Sequence, residues 1–143
     1  MITHHSTSPQ ATEQIAADLA RTLTGGECIA LEGELGAGKT QFVRGLVMGL
    51  AGNPRAVSSP TFMLLNIYRQ GRLPVFHLDA YRVFGADDFE SIGFTELLDQ
   101  SGVVVVEWAS RVTPLLPPRR ISVRIVSTGS HNRQIDIEQI VAG

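Results

Sequence analysis

An octapeptide in the first third of the chain carries the residue types of a nucleotide phosphate site. Its sequence, Gly33-Glu34-Leu35-Gly36-Ala37-Gly38-Lys39-Thr40, matches the pattern GxxxxGK[ST] at every defined position. The glycines allow successive N–H groups to turn inward around an anion. Lys39 would reach the β- and γ-phosphates, and the Thr40 hydroxyl would coordinate Mg²⁺. The alternative is a glycine-rich turn that binds nothing. The residues expected to contact a nucleotide are Glu34, Leu35, Gly36, Ala37, Gly38, Lys39, Thr40 and Gln41.

Two carboxylates at predicted strand ends could complete such a site. Glu107 follows the β-branched run Val103–Val106, and Asp79 follows the apolar stretch Val75–Leu78. In open parallel sheets, ligands bind at the carboxyl ends of the strands, and Mg²⁺ prefers oxygen ligands. We predict that both acids face the γ-phosphate and coordinate Mg²⁺ directly or through water. Which of the two touches the metal stays open, and surface carboxylates are the alternative.

Four further residues have both a functional and a structural interpretation. Thr61, in Ser59-Pro60-Thr61-Phe62, resembles a switch threonine that senses the γ-phosphate, or belongs to a plain turn before a strand. His77 is interpreted as a satisfied strand histidine rather than a catalytic one. Trp108, beside Glu107, either fills the core or belongs to the site. Cys28 is interpreted as a small buried apolar residue.

The phosphate loop requires a strand before it and a helix after it, and the sequence predicts both. Glu27–Leu31 is short and mostly apolar, as a strand covered on both faces should be. After Thr40, apolar residues recur at helical spacing until Gly52-Asn53-Pro54 ends the helix. The phosphates would then meet the positive N-terminus of that helix.

The rest of the chain predicts an α/β fold. It is expected to be a three-layer sandwich like that of P-loop NTPases, with a mixed sheet that has a parallel core and antiparallel strands including a hairpin insertion.

His4-His5 is interpreted as part of a solvated tail, and Thr12 as an exposed helical residue. The other predicted elements are a helix from Pro9 that ends at Gly25-Gly26, a hairpin of Met63–Tyr68 and Leu73–Asp79, a helical stretch over 86–100, and a closing antiparallel pair of Ile121–Ile125 and Arg133–Ile137.

Length and composition limit the classes of function. At 143 residues the chain is predicted to be a single domain, 1–143. A net charge of −2 gives no basic field for direct nucleic-acid binding. Lys39 is the only lysine, so the lysine-containing motif by which GTPases read guanine is absent. A single cysteine and no apolar run near ~20 residues favour a cytoplasmic protein without disulfides or a membrane span.

Four motifs, in this order and in a chain of this size, resemble the TsaE (YjeE) family. They are Gly33–Thr40, Ser59–Phe62, His77-Leu78-Asp79-Ala80-Tyr81-Arg82 and Val106-Glu107-Trp108. The resemblance implies a Mg²⁺-dependent ATPase of tRNA threonylcarbamoyladenosine (t6A37) biosynthesis, with ATP as substrate and ADP as product. It would act with the TsaB and TsaD proteins to drive or reset the threonylcarbamoyl-transfer complex, and would meet tRNA only indirectly.

The resemblance also implies roles for individual residues. Lys39 and Thr40 would bind phosphate and Mg²⁺, Glu107 would be a metal ligand, and Asp79 would take the Walker B role. Thr12 would lie near the adenine, and Arg133 would also contact the nucleotide. Two alternatives remain open: an ATP-gated assembly factor without useful hydrolysis, and a small-molecule kinase, although no insertion is long enough for a kinase lid. Low intrinsic activity that partners stimulate is expected.

Overall fold

The computed structural model describes residues 1–34, 36–58, 65–80 and 93–141. Leu35 and Thr61, as well as part of the helical stretch predicted over 86–100, lie outside these ranges. The strands are β1 (Ile2–Ser6), β2 (Cys28–Glu32), β3 (Leu65–Tyr68), β4 (Val75–Asp79), β5 (Val103–Glu107), β6 (Arg120–Ser127) and β7 (Arg133–Ile140). The α-helices are α1 (Pro9–Ala20), α2 (Lys39–Gly49) and α3 (Phe94–Leu98), with 3-10 segments at Pro54–Ala56 and Ala109–Leu115.

One mixed sheet joins these strands in the order β1-β7-β6-β2-β5-β4-β3. The central strands β6, β2, β5 and β4 run parallel, whereas β7, β1 and β3 are added antiparallel. The predicted hairpin is β3 with β4 and the predicted closing pair is β6 with β7, so both are confirmed. The sequence pattern did not reveal that β6 also pairs with β2 and so belongs to the parallel core.

Helices cover both faces of the sheet, which makes the predicted three layers. Within β2, Ile29 and Leu31 pack into the core shared with α1 and α2, whereas Cys28 and Ala30 pack on the opposite face with α3. The valines of β5 alternate in the same way. Because successive side chains of a strand point to opposite faces, a strand between two helical layers must be apolar throughout. That requirement explains the continuous valine run before Glu107.

Close contact between α1 and α2 depends on glycine. A Cβ added at Gly45 of α2 would lie 2.2 Å from the Glu13 backbone oxygen and 2.7 Å from Ala16 Cβ. At Gly49 the Ala17 oxygen would be 2.6 Å away. No side chain fits at such distances, so the two helices lie backbone to backbone. This packing fixes the start of α1 beside the phosphate loop that precedes α2.

The interpretation of His4-His5 as a solvated tail is wrong, because both residues belong to strand β1. His4 lies opposite Ile135 and His5 opposite Gln134 of antiparallel β7. Without β1, the outer edge of β7 would expose unpaired backbone N–H and C=O groups, and β1 forms hydrogen bonds with them. Its partner strand lies more than a hundred residues away in sequence, so local pattern could not predict the pairing. Within the described part of the chain, no helix has the length and apolarity to cross a bilayer.

Candidate functional site

The phosphate loop connects β2 to α2 and adopts a backbone that requires glycine. Gly36 and Gly38 lie in the left-handed region, at φ +80° and +103°, where other residues are strained. Gly38 is also the N-cap of α2, so the helix begins at Lys39. A Cβ at Gly33 would come within 3.0 Å of the Ile125 backbone oxygen. The loop therefore has the conformation that its glycines predicted, and the first N–H groups of α2 open onto it.

Arg133, at the start of β7, supports this loop through its backbone carbonyls. Its Nε donates to the Ala37 oxygen at 2.9 Å, and Nη2 donates to the Gly36 oxygen at 3.3 Å. Its Nη1 donates to the Asn132 oxygen at 2.9 Å and to the Gly129 oxygen at 3.2 Å. A planar guanidinium can make these bonds together, whereas an ammonium cannot. Arg133 thus lies at the predicted site and holds the loop in shape.

Lys39 is buried beside two groups of β5 and the turn that follows it. Its side chain is only 6% exposed, and Nζ lies 3.8 Å from Glu107 Oε1 and 4.0 Å from the centre of the Trp108 ring. Among the described residues, Nζ has no hydrogen-bond acceptor. Burial lowers the pKa of Lys39, although the nearby carboxylates of Glu107, Asp79 and Glu32 oppose the shift. An ammonium in this state can donate hydrogen bonds to the oxygens of a ligand.

The two predicted acids end adjacent parallel strands in matching register. Asp79 of β4 lies opposite Glu107 of β5, and the Ala80 N–H donates to the Glu107 backbone oxygen at 3.0 Å. Glu107 is only 4% exposed, whereas Asp79 is half-buried. The structure therefore brings Lys39, Glu107 and the end of β4 together at the carboxyl edge of the sheet, where the sequence predicted them.

His77 is fully buried behind Glu107, in keeping with its interpretation as a satisfied strand histidine. Its Nε2 is hydrogen-bonded to Glu107 Oε2, and its Nδ1 lies 3.0 Å from the Tyr68 hydroxyl. Tyr68 contacts the Ser58 backbone in turn. Sequence reasoning missed Tyr68, because only the register of the β3–β4 hairpin brings it to His77.

Thr12 is buried rather than an exposed helical residue, so that interpretation is wrong. It is 2% exposed because β1 covers the start of α1, and its Oγ1 lies 2.7 Å from Ser6 Oγ. The Ser6 hydroxyl donates to the Ser8 oxygen at 2.8 Å, so the Thr12 hydroxyl must donate to Ser6. The Thr12 hydroxyl can therefore accept another hydrogen bond but cannot donate one. It lines a cleft of about 230 Å³ beside the loop, together with Gly36, Gln41 and Arg133.

A second and larger groove lies on the other side of the phosphate loop. It measures about 730 Å³ and is lined by Glu32, Trp108, Ser110 and Arg124 as well as loop residues. Trp108 is half-buried there and has a left-handed backbone at φ +58°. Trp108 therefore forms a wall of the site and does not simply fill the core.

A metal ion at this site would need ligands beyond histidines, cysteines and carboxylates. The described residues contain no group of three or more such side chains that could hold one. The nearby side-chain donors are oxygens: the Asp79 and Glu107 carboxylates and the hydroxyl of Thr40 in the first turn of α2. Such a donor set fits Mg²⁺, which is usually bound by one or two carboxylates plus substrate phosphates.

The family of the chain follows from comparison with known sequences. The family model described as threonylcarbamoyl adenosine biosynthesis protein TsaE matches residues 6–135. The matched range contains the phosphate loop, both acids and Arg133. The chain belongs to the TsaE family. Membership makes this chain a protein of tRNA threonylcarbamoyladenosine biosynthesis, as the four motifs predicted.

Individual TsaE relatives are similar over most of the chain. TsaE of Bacillus subtilis is 40% identical over 128 residues, which are 90% of this chain and 79% of that protein. TsaE of Treponema pallidum is 39% identical over 132 residues, 92% of this chain and 96% of that protein. The crystal structure of Bacillus subtilis YdiB superimposes with a TM-score of 0.80 at 31% identity, covering 97% of this chain and 85% of that one. The predicted fold is therefore confirmed.

Proposed function

We propose that this TsaE-family protein binds ATP with Mg²⁺ and hydrolyses it, slowly alone and faster with its partners, in the modification of tRNA to t6A37. The observation that carries the proposal is the Lys39 ammonium, which is buried and lacks a hydrogen-bond acceptor among the described residues. A buried ammonium in this state is unfavourable unless a ligand supplies acceptors. At the end of a GxxxxGK[ST] loop, nucleotide phosphates are the expected ligand.

Binding would use the loop for the phosphates and the cleft beside α1 for the base. The left-handed glycines and the first turn of α2 present N–H groups that have no intrahelical acceptor, and phosphate oxygens suit them. Thr12 lines the cleft and has committed its proton to Ser6. It can therefore accept a hydrogen bond but cannot donate one. The exocyclic amine of adenine matches such an acceptor, whereas the carbonyl of guanine does not.

Hydrolysis would depend on Lys39, Thr40, Asp79 and Glu107. When bound, Mg²⁺ would neutralise charge that develops on the β- and γ-phosphates. The Thr40 hydroxyl and one or both acids would hold the ion, and an acid not engaged in this way would orient the attacking water. Lys39, which is only 6% exposed, would stabilise negative charge that develops on the phosphates. We further propose Thr61 as the residue that senses the γ-phosphate.

The partners are proposed to be the TsaB and TsaD proteins, with tRNA reached only through them. A net charge of −2 favours protein contacts over direct RNA binding. P-loop enzymes whose sites are completed by another protein turn over slowly alone. The ATP cycle would therefore drive or reset the threonylcarbamoyl-transfer complex in the cytoplasm. The rate of hydrolysis would rise when that complex forms.

An ATP-gated assembly factor without useful hydrolysis is the second candidate. Its support is that the Glu107 carboxylate already contacts His77 and lies near Lys39, whereas hydrolysis needs an acid that faces the nucleotide.

Phosphate release with and without TsaB, TsaD and tRNA separates the candidates, with Lys39→Ala as the control. The proposal predicts release that the partners stimulate and that Lys39→Ala abolishes. ATP binding with no release above the control, even in the full mixture, would favour the assembly factor. A phosphorylated small molecule among the products would indicate a kinase.

A further inference from the structure

A chain of hydrogen bonds leads from the phosphate site to the backbone of Ser58. Glu107 Oε2 is bonded to His77 Nε2, and His77 Nδ1 lies 3.0 Å from the Tyr68 hydroxyl. That hydroxyl lies 3.1 Å from the Ser58 oxygen and accepts from the Ser58 N–H at 3.3 Å. His77 is 0% exposed and both of its hydrogen bonds are buried, so water does not compete with them. The proposed binding and hydrolysis of ATP leave His77 and Tyr68 without a role.

The strands that carry this chain allow it little freedom. His77 lies in β4, between Asn66 of β3 and Val105 of β5 in the registers of the two pairs. The backbone of His77 is therefore held by a strand on each side, and the ring by its bonds to Glu107 and Tyr68. Because an ionised carboxylate only accepts, the histidine must donate from Nε2 to Glu107. The Tyr68 hydroxyl has one proton, which goes either to His77 Nδ1 or to the Ser58 oxygen, and in both cases the hydroxyl stays against the ring. The hydrogen bond from His77 Nε2 thus fixes the position of Glu107 Oε2.

The other oxygen of Glu107 faces Lys39 at 3.8 Å, beyond the length of a hydrogen bond. A carboxylate free to rotate in a buried site would move onto the ammonium and make a direct, charge-assisted bond. Lys39 would then be neutralised by its own protein and less available to phosphate.

We propose that His77, held in place by Tyr68, is a positioning residue that restrains Glu107 and so keeps Lys39 available to the phosphates of a nucleotide. The inference rests on the proposed function. It concerns the ammonium rather than the metal, so ADP binding in EDTA can test it without Mg²⁺ or turnover.

Two substitutions divide the functions of the histidine ring. The amide nitrogen of glutamine reaches the place of Nε2, so His77→Gln can still donate to Glu107. The shorter amide of asparagine reaches only the place of Nδ1, so His77→Asn keeps the Tyr68 contact and releases Glu107. We expect His77→Asn to weaken ADP binding about tenfold, the size of a lost bond to a charged group. His77→Gln should bind as wild type does. His5→Asn, on the exposed β1, is the matched control and should also be unchanged.

A double-mutant cycle with Glu107→Gln identifies the cause. Glutamine cannot form an ion pair with Lys39, so His77→Asn should have almost no effect on ADP affinity in the Glu107→Gln background. Thermal melts establish that each variant is folded.

Three results of the ADP titrations in EDTA would overturn the inference. If His77→Asn binds ADP as wild type does, Glu107 needs no restraint. If the loss is tenfold in both backgrounds, the histidine acts through the fold and not through Glu107. If the wild-type chain itself binds no nucleotide, with or without Mg²⁺, the proposed function fails and the inference fails with it.

Discussion

The Lys39 ammonium lies 4.0 Å from the centre of the ring of Trp108, which is the residue directly after β5. Trp108 adopts φ +58°, and its backbone N–H donates to the Leu31 backbone oxygen at 3.2 Å. The backbone that carries the ring is thereby fixed to β2, the strand that leads into the phosphate loop. An aromatic face and the Glu107 carboxylate together stabilise a cation that burial disfavours. The charge of Lys39 is therefore balanced between these contacts and the cost of burial.

Replacing Lys39 by methionine should abolish nucleotide binding and raise the free energy of unfolding by about 1 kcal/mol. Methionine occupies a similar volume without the buried charge. Urea unfolding and ADP calorimetry measure the two effects. Arg55→Met, on an exposed 3-10 turn, is the control and should change neither. A less stable Lys39→Met would mean that the contacts of the ammonium outweigh the cost of its burial.

The lowered pKa of Lys39 predicts how ADP affinity depends on pH. Only the ammonium form pairs with phosphate, so affinity should fall as pH rises through a pKa below the ordinary 10.5. Bound phosphate favours the charged form of Lys39. Above the lowered pKa, the binding of ADP should therefore be accompanied by uptake of a proton. The free energy of unfolding should rise with pH over the same interval, because the unfolded chain retains the proton that the folded chain releases.

Calorimetry in EDTA checks this pH dependence. ADP is titrated between about pH 8 and 10, in buffers of different ionisation enthalpy. A dissociation constant that stays flat across the range, with no proton uptake, would contradict the assignment of the lowered pKa to a phosphate-binding lysine.

Arg133→Lys should weaken ADP binding about tenfold although it keeps the positive charge. The guanidinium donates to the Gly36 and Ala37 oxygens together, and lysine cannot reproduce that geometry. Fluorescence or calorimetric titration gives the affinity, and Arg21→Lys, exposed at the end of α1, is the control. Wild-type affinity in Arg133→Lys would show that only the charge matters at this position.

Gly45→Ala should lower the free energy of unfolding by about 1–3 kcal/mol, the usual cost of overpacking. The added methyl would lie 2.2 Å from the Glu13 oxygen, so α1 must move away from α2. Since α1 carries Thr12, ADP affinity should fall as well. Urea unfolding tests the first effect, with the exposed Met48→Ala on α2 as control and an expected change within ~0.5 kcal/mol. Equal stability of the two variants would mean that the helices can separate without cost.

The parts of the site that the sequence predicted are encoded locally. The left-handed glycines at 36 and 38 and the start of α2 at Lys39 follow from one contiguous motif. Glu107 could be placed at a strand end because the valine run before it is apolar on both faces. In each case neighbouring residues carry all the information.

The parts that the sequence did not predict depend on pairing between distant segments. Thr12 is buried because Ser6 and the rest of β1 pair with β7, near the other end of the chain. Tyr68 reaches His77 only through the register of β3 on β4, and His77 reaches Glu107 only because β4 lies beside β5. A single sequence contains no local signal for such contacts.

Calorimetric titration of the wild-type chain and Lys39→Ala with Mg·ADP and Mg·ATP tests the nucleotide site most directly. Saturable binding at one site in the wild type, lost in Lys39→Ala, is the predicted result. Absence of any heat of association in the wild type, even with the TsaB and TsaD proteins present, would contradict a phosphate site built from this loop and its buried lysine.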